Sequence, residues 1–490
     1  MKTANILFYG FMLCMISHLA PANNISVANI SLESLNTSDQ TVIVQFDLSW
    51  ENSWRISTGP SNWDAAWIFV KYRANNGNWS HARINVASPG VSGATIQVTT
   101  DEVGAMLYRD VEGTGDVNFT GVQLQWDYGD NGVTEADVLD IQVFAIEMVY
   151  VPEGSFFVGG TSGDEVNKFH EGGNTISSYQ ITSESAITIA NTSGNLYYTA
   201  DNGTSGDQTG TLSADFPKGF AAFYCMKYEV SEGQWVAFFN SLSESQKANR
   251  DLTDAAHKNS DAVVSRNTIA WSDGTSSATT TAPDRALNYA NVGDINAYLD
   301  WSGLRPMTEL EYEKACRGPV FPKAGEFAWG NANIASVEYT LLNDGASNEQ
   351  ISNPEEGTGN AIYLQTNGAL SGPLRVGVFA ASAINSNREE TGGSYYGIME
   401  LSGNVYERCI TVGTTLGRSF TGVHGNGLIS SLGNANAANW PSALTGDGYS
   451  YRGAAWVNDS DFLRVSDRFD GASFISTGNN RLGFRGVRSF

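Results

Sequence analysis

The ten residues TVIVQFDLSW (Thr41–Trp50) alternate in polarity: Val42, Val44, Phe46, Leu48 and Trp50 fall on one side of an extended chain, and Thr41, Gln45, Asp47 and Ser49 on the other. A helix would scatter this set around its axis, so only a half-buried strand gathers the apolar residues onto one face. AAWIFVKY (Ala65–Tyr72) and GVQLQW (Gly121–Trp126) read the same way, with turn-forming stretches such as NNGN (Asn75–Asn78) and GDNG (Gly129–Gly132) between them. Short strands at this spacing predict a β-sandwich over residues 23–147. The 52 glycines against 12 prolines extend the expectation of a turn-rich, largely β architecture to the whole chain.

DYGDNG (Asp127–Gly132) invites comparison with a calcium loop, but the EF-hand pattern needs an oxygen ligand at its third position and Glu at its twelfth. Gly129 and Val138 stand there, so the stretch reads as a hairpin turn. At the N-terminus, Lys2, the apolar ILFYGFMLCMI (Ile6–Ile16) and the small residues Ala20–Ala22 form a signal-peptide pattern with cleavage after Ala22. GFMLC lacks the small residues expected before a lipidated cysteine, so Cys14 leaves with the leader. No later stretch approaches the length of apolar sequence that spans a bilayer. A formal charge of −24 argues against nucleic acid or an anionic membrane as partner and suits an exported protein that holds divalent cations. The expected location is extracellular or cell-surface, with the periplasm as the alternative.

Three cysteines remain after cleavage, Cys225, Cys316 and Cys409, without CxxC spacing. One disulfide and one free thiol is the simplest outcome in an oxidising compartment, with Cys225–Cys316 as the expected pair. Residues 161–215 are rich in Ser, Thr, Gly and Asn and read as a hairpin-rich insertion. Two helices follow with capping boxes, Ser231 with Gln234 and Thr308 with Glu311, and Gly318 is placed to end the second. Between them Gly293–Gly303 is a third short helical segment.

From Met148 on, the segments MVYVPEGSFFVGG, YCMKYEVSEGQWVAFFN, LDWSGLRPMTELEYEKACRG, FAWGNA, YYGIMELSGNVYER, YRGAAW and NRLGFRGVRSF follow one another in the order of the motifs of the formylglycine-generating enzyme/sulfatase-modifying-factor family. The chain resembles that family from Met148 to Phe490. The resemblance implies an irregular α+β, C-type-lectin-like domain behind the sandwich, a mixed fold overall and a pairing similar to secreted proteins of the Bacteroidota. Active members oxidise a substrate cysteine with copper held by two cysteine thiolates just after a GGS turn. Soft thiolates suit Cu(I). Here that turn corresponds to Gly453–Ala455, and the thiolate positions hold Asn458 and Leu463, so no copper and no formylglycine-generating activity are expected. His81, His170, His257 and His424 are widely scattered and read as surface or loop residues. Gly-x-Ser-x-Gly, P-loop and His-Glu-x-x-His patterns are absent from the sequence.

The resemblance also implies a calcium site in MELSGNVYERCI (Met399–Ile410), built from Glu400, the carbonyls of Gly403 and Val405, and Glu407. Calcium takes several hard oxygen donors, and carboxylates plus carbonyls meet that demand. A second site of the family would fall near Asn343 and Asn360. Trp456, Asn458, Asp459, Asp461, Phe462 and Arg464 correspond to the face on which relatives bind substrate, while Arg452 and Arg485 are expected to buttress the fold through carboxylate pairs. The expectation is an exported, non-catalytic structural or binding subunit of an extracellular assembly (a filament, coat, or motility or secretion apparatus), bound to calcium and partnered by copies of itself or by other cell-surface proteins or glycans. The alternatives are a monomeric adhesin for carbohydrate or protein, and an enzyme of unrecognised chemistry.

Overall fold

The computed structural model describes residues 24–162, 167–199, 206–272, 277–368, 370–442, 445–473 and 475–490. The signal-peptide reading of residues 1–22 lies outside them. The strand Thr41–Arg55 is the middle of a three-stranded antiparallel sheet, flanked by Ser26–Asn36 and Gly113–Asp127. Its alternation is borne out: Val42, Val44, Phe46, Leu48 and Trp50 are buried and their neighbours partly exposed. The buried side meets a second sheet containing Ala94–Val98, Ala105–Arg109, Asp64–Ala74 and Leu139–Val151, and the two close a sandwich core around Trp50, Ile68, Leu124 and Trp126.

Asp64–Ala74 departs from the half-buried strand expected of it. It is buried continuously from Asp64 to Tyr72 because both of its faces are covered. Ile68 and Val70 point into the sandwich core, whereas Trp67 and Phe69 pack with the helix residues Phe238, Tyr298 and Trp301. The stretch Asp127–Gly132 is likewise not a hairpin: a short 3-10 turn, Gly129–Asn131, carries the chain from the three-stranded sheet across to the other one.

Leu139–Val151 ties the two halves together. It pairs with Asp64–Ala74 along its whole length, from Leu139↔Ala74 to Val149↔Asp64. Its last residues pair on the other side with Phe223–Met226. From there the sheet continues through Gly486–Ser489, Arg305–Thr308, Tyr406–Ile410 and Tyr449–Arg452, giving eleven strands in all. The domain boundary expected at residues 147/148 therefore falls inside a strand. Polar contacts reinforce the joint: Trp67 Nε1 donates to Ser302 O at 2.7 Å, and the buried Lys71 Nζ donates to Trp301 O at 2.7 Å and Gly427 O at 2.5 Å.

The capping boxes form as expected at Ser231/Gln234 and Thr308/Glu311, starting the helices Glu232–Asn240 and Glu309–Arg317. A third box, Asn291/Asp294, starts Val292–Trp301. The described parts of 161–215 form short strands around their own apolar cluster, which is shared with Leu310, Val412 and Phe420 of the main body. Cys225, Cys316 and Cys409 are buried free thiols in a single apolar cluster, so the expected Cys225–Cys316 disulfide is not formed. Burial pushes the Cys316 thiol up to about 12, which keeps it protonated and unreactive. The histidines are not superficial either: His81 and His170 are buried, and the His257 ring is enclosed between two aspartates.

Candidate functional site: a buried carboxylate cluster around Arg485

The segment Met399–Glu407 turns through three positive-φ residues, Glu400 (53°), Gly403 (99°) and Asn404 (64°), before entering the strand Tyr406–Ile410. A side chain at Gly403 would place its Cβ 2.7 Å from Ile362 O, so only glycine allows this close passage. Asn404 holds the turn from several sides. Its N–H donates to Ile362 O, its carbonyl accepts from Trp456 N–H at 2.9 Å, and its Oδ1 accepts from Leu374 N–H at 2.9 Å.

Both expected carboxylates are buried. Glu400 Oε1 accepts from Gly377 N–H at 3.0 Å, while Oε2 has no protein partner. Glu407 Oε1 accepts from Arg485 Nε, and its Oε2 also has none. A third acid, Glu229, was not foreseen. It is fully buried, with Oε2 accepting from Asn404 Nδ2 at 3.0 Å and Oε1 from Val405 N–H at 3.4 Å. Its only sequence signal is an acid set between Tyr228 and Val230.

Burial raises the pKa of Glu407 against the opposing Arg485 charge. Burial also pushes Glu400 up to about 7, with Glu407 repelling it and the Gly377 N–H, Arg485 and Arg375 pulling the other way. Glu229 is driven well above the carboxylate range by burial and by the Glu400 and Glu407 charges. Acids outnumber the paired guanidinium, and two carboxylate oxygens are left over. Such a centre accepts either protons or a metal cation. Beside it lies a cavity of about 10 Å³ lined by Glu400, Asn404, Ser402 and Asn360, the size of a single water or ion. Among the described residues no three His, Cys, Asp or Glu side chains are grouped as a set of metal ligands. Carbonyl and amide oxygens would therefore have to complete any coordination.

The second expected cation site does not assemble. Asn343 is exposed and donates to Asn348 O at 3.3 Å. The Asn360 amide is saturated: its Oδ1 accepts from Tyr339 Oη and Glu355 N–H, and its Nδ2 donates to Glu355 O, Thr358 O and Glu390 O. Near Asn343 the buried Glu349 is already neutralised by Arg266 and Arg285, at 2.9 and 3.3 Å.

At the positions of the copper ligands, Asn458 Oδ1 accepts from Ala455 N–H at 3.1 Å and braces the turn, and Leu463 is fully buried among Trp456, Ala455 and Ile362. Trp456 is core rather than surface, its indole N–H donating to Asn480 O at 3.0 Å. Of the expected face Asp459 and Asp461 are exposed, and Asn458, Phe462 and Arg464 are half-buried. Asp461 pairs with Arg464 at 2.6 Å, and Phe462 meets Phe469 edge to face at 5.3 Å. Arg452 and Arg485 buttress the fold through carboxylates, Arg452 by pairing with Glu309 at 3.1 Å and Glu313 at 2.7 Å.

Among the described residues no helix is long and apolar enough to cross a membrane. The chain is 28% identical over 151 residues to the formylglycine-generating enzyme of Bos taurus, an alignment covering 25% of this chain and 40% of that protein. It thus spans about two fifths of the length of the curated relative it matches. The sulfatase-modifying factor enzyme 1-like domain matches residues 140–490, beginning with the strand that joins the two halves. The chain belongs to the sulfatase-modifying factor enzyme 1-like family.

Proposed function

We propose that this protein is an exported, non-catalytic member of its family, a structural or binding subunit of an extracellular assembly whose core is braced by calcium. The observation that carries the reading is the pair Asn458 and Leu463. An amide engaged in a turn and an aliphatic side chain sealed in the core stand where a copper-dependent relative needs two thiolates. The cation centre persists as the catalytic one is lost. Glu400 and Glu407, with the carbonyls of Gly403 and Val405, are the groups that would hold calcium, and the orphaned Glu400 Oε2 and Glu407 Oε2 fit a hard cation. Calcium bound there supplies positive charge to a buried centre that has too little of it.

Light scattering on the chain lacking residues 1–22, in calcium-containing buffer, tests the assembly role. A large or concentration-dependent mass supports it, and a concentration-independent monomer counts against it. Metal analysis of the same sample separates the enzymatic alternative: stoichiometric copper or iron would revive it, and calcium alone would not. A monomeric adhesin is the second reading, favoured by the Phe462–Phe469 aromatic pair beside the exposed Asp461–Arg464 ion pair. Glycan and surface-protein binding by wild type, lost in Phe462→Ala, would select it.

A further inference from the structure

Lys227 and Glu147 face each other on neighbouring strands of the shared sheet. Met226 pairs with Met148, and one residue on, Lys227 N–H donates to Glu147 O at 3.0 Å. The Lys227 Nζ touches Glu147 Oε1, with the two side chains 6% and 2% exposed. The Trp54 indole covers the amine, its ring centre 4.8 Å from Nζ, with the Tyr228 ring at 5.4 Å. A second acid, Asp64, lies on the adjacent strand. Its partner is Val149 while that of Glu147 is Ala66, so Asp64 and Glu147 share one face of the sheet. Asp64 is fully buried and accepts from Trp50 Nε1 at 2.8 Å, Ser53 Oγ at 2.8 Å and Trp54 N–H at 3.0 Å. Of its four lone-pair positions these bonds use three, which leaves one for a proton.

The amine and the Glu147 carboxyl thus share a buried, aromatic-walled site, with Asp64 on the same sheet face and near enough to feel the Lys227 charge. Charge separation is costly there, so replacing the ion pair by a neutral group is favoured. Burial, the main influence on Asp64, raises its pKa against the Lys227 charge. Side chains held in contact react as one molecule, and this removes most of the entropic barrier to joining them.

We propose that Lys227 and Glu147 condense into an intramolecular amide, a covalent staple between the strands Leu139–Val151 and Phe223–Met226. The first ammonium proton passes to Glu147. The free amine adds to the Glu147 carboxyl carbon, and a second N–H proton passes from the added nitrogen to the departing hydroxyl. A C–N bond forms, a C–O bond breaks, and one water leaves. No oxidant or reductant takes part. The product crosses the boundary between the sandwich and the remainder of the chain and replaces a buried ion pair with a neutral group.

Intact-mass spectrometry of the purified, denatured full-length secreted chain tests this directly. Wild type is expected to weigh one water less than its sequence, and a tryptic digest to contain one branched peptide joining the Lys227 and Glu147 segments. Lys227→Arg keeps the positive charge but lacks the amine, and it is expected at its full sequence mass. A wild-type mass equal to the uncondensed sequence would overturn the proposal. So would a missing water that persists in Lys227→Arg, because cyclisation at an Asp–Gly step such as Asp344–Gly345 has the same mass signature.

Discussion

Arg485 and Glu407 meet Nε to Oε1 at the centre of the fold, neither reached by solvent. Arg485 also donates through Nη1 to the carbonyls of Met226 and Lys227, so one guanidinium ties the strand Tyr406–Ile410 to the end of Phe223–Met226. It is the cation that opposes the charges of Glu229, Glu400 and Glu407 together. Replacing it with Met removes the ion-pair partner of the buried Glu407, and breaking a buried pair this way costs about 3–5 kcal/mol. Urea unfolding of Arg485→Met should show a loss of that size, and a loss below about 1 kcal/mol, the worth of an exposed pair, would mean that Arg485 does not hold the cluster.

Calcium removal should have a related effect. A ligand that binds only the folded state stabilises it by about 2.7 kcal/mol at a hundredfold excess over its Kd. Chelation is therefore expected to lower the melting temperature of wild type and calcium to restore it, with magnesium less effective. In Glu400→Gln the difference between the two conditions should disappear. An identical melting curve for wild type with and without chelator would remove calcium from the account of this fold.

His257 predicts a dependence on alkaline pH. Burial works against its charge, but Asp294 at 2.8 Å from Nε2 and Asp254 at 2.6 Å from Nδ1 outweigh it and raise the pKa to about 9. Other charges at the cluster are few: Arg250 shares Asp294 at 2.9 Å. Since the folded pKa lies above the unfolded value, the stabilisation is complete below pH 6.5 and is lost as the pH rises through about 9. The urea midpoint of wild type should fall across that window, and that of His257→Gln should fall less. Equal slopes would show that the imidazolium contributes nothing.

Because Leu139–Val151 belongs to both halves, heating should give one calorimetric transition for the whole chain. Trp67 lies at the joint, fully buried with its indole N–H on Ser302 O. Trp67→Ala is expected to cost about 3–5 kcal/mol and to move that single transition as a unit. Two resolved transitions in wild type, with only one shifted by the substitution, would show that the halves unfold independently.

Local signals in the sequence carried well. Alternation in Thr41–Trp50 and the capping boxes at Ser231 and Thr308 state their own structure, because each depends on residues a few positions apart. Partnership between distant segments was harder to read. Ala65–Tyr72 is apolar on both sides apart from Lys71, a pattern that fits burial of both faces but does not say that helices from the other half cover the second one. Glu229 was invisible as a member of the cluster because its carboxylate meets Asn404 Nδ2 and Val405 N–H, groups from far along the chain. The sequence around Trp456 suits a binding face and a core position equally, because it says nothing of Asn480, whose carbonyl takes the indole proton.

The shared strand also fixes how the protein answers a pull. A force applied at the N-terminal sandwich and resisted at the C-terminal half runs lengthwise along Leu139–Val151, which is hydrogen-bonded to Asp64–Ala74 over its full length and to Phe223–Met226 at its far end. Tension so directed must slide whole ladders past one another instead of opening them bond by bond. A flexible tether between the halves would yield first; here the connector is itself one of the best-anchored strands in the molecule.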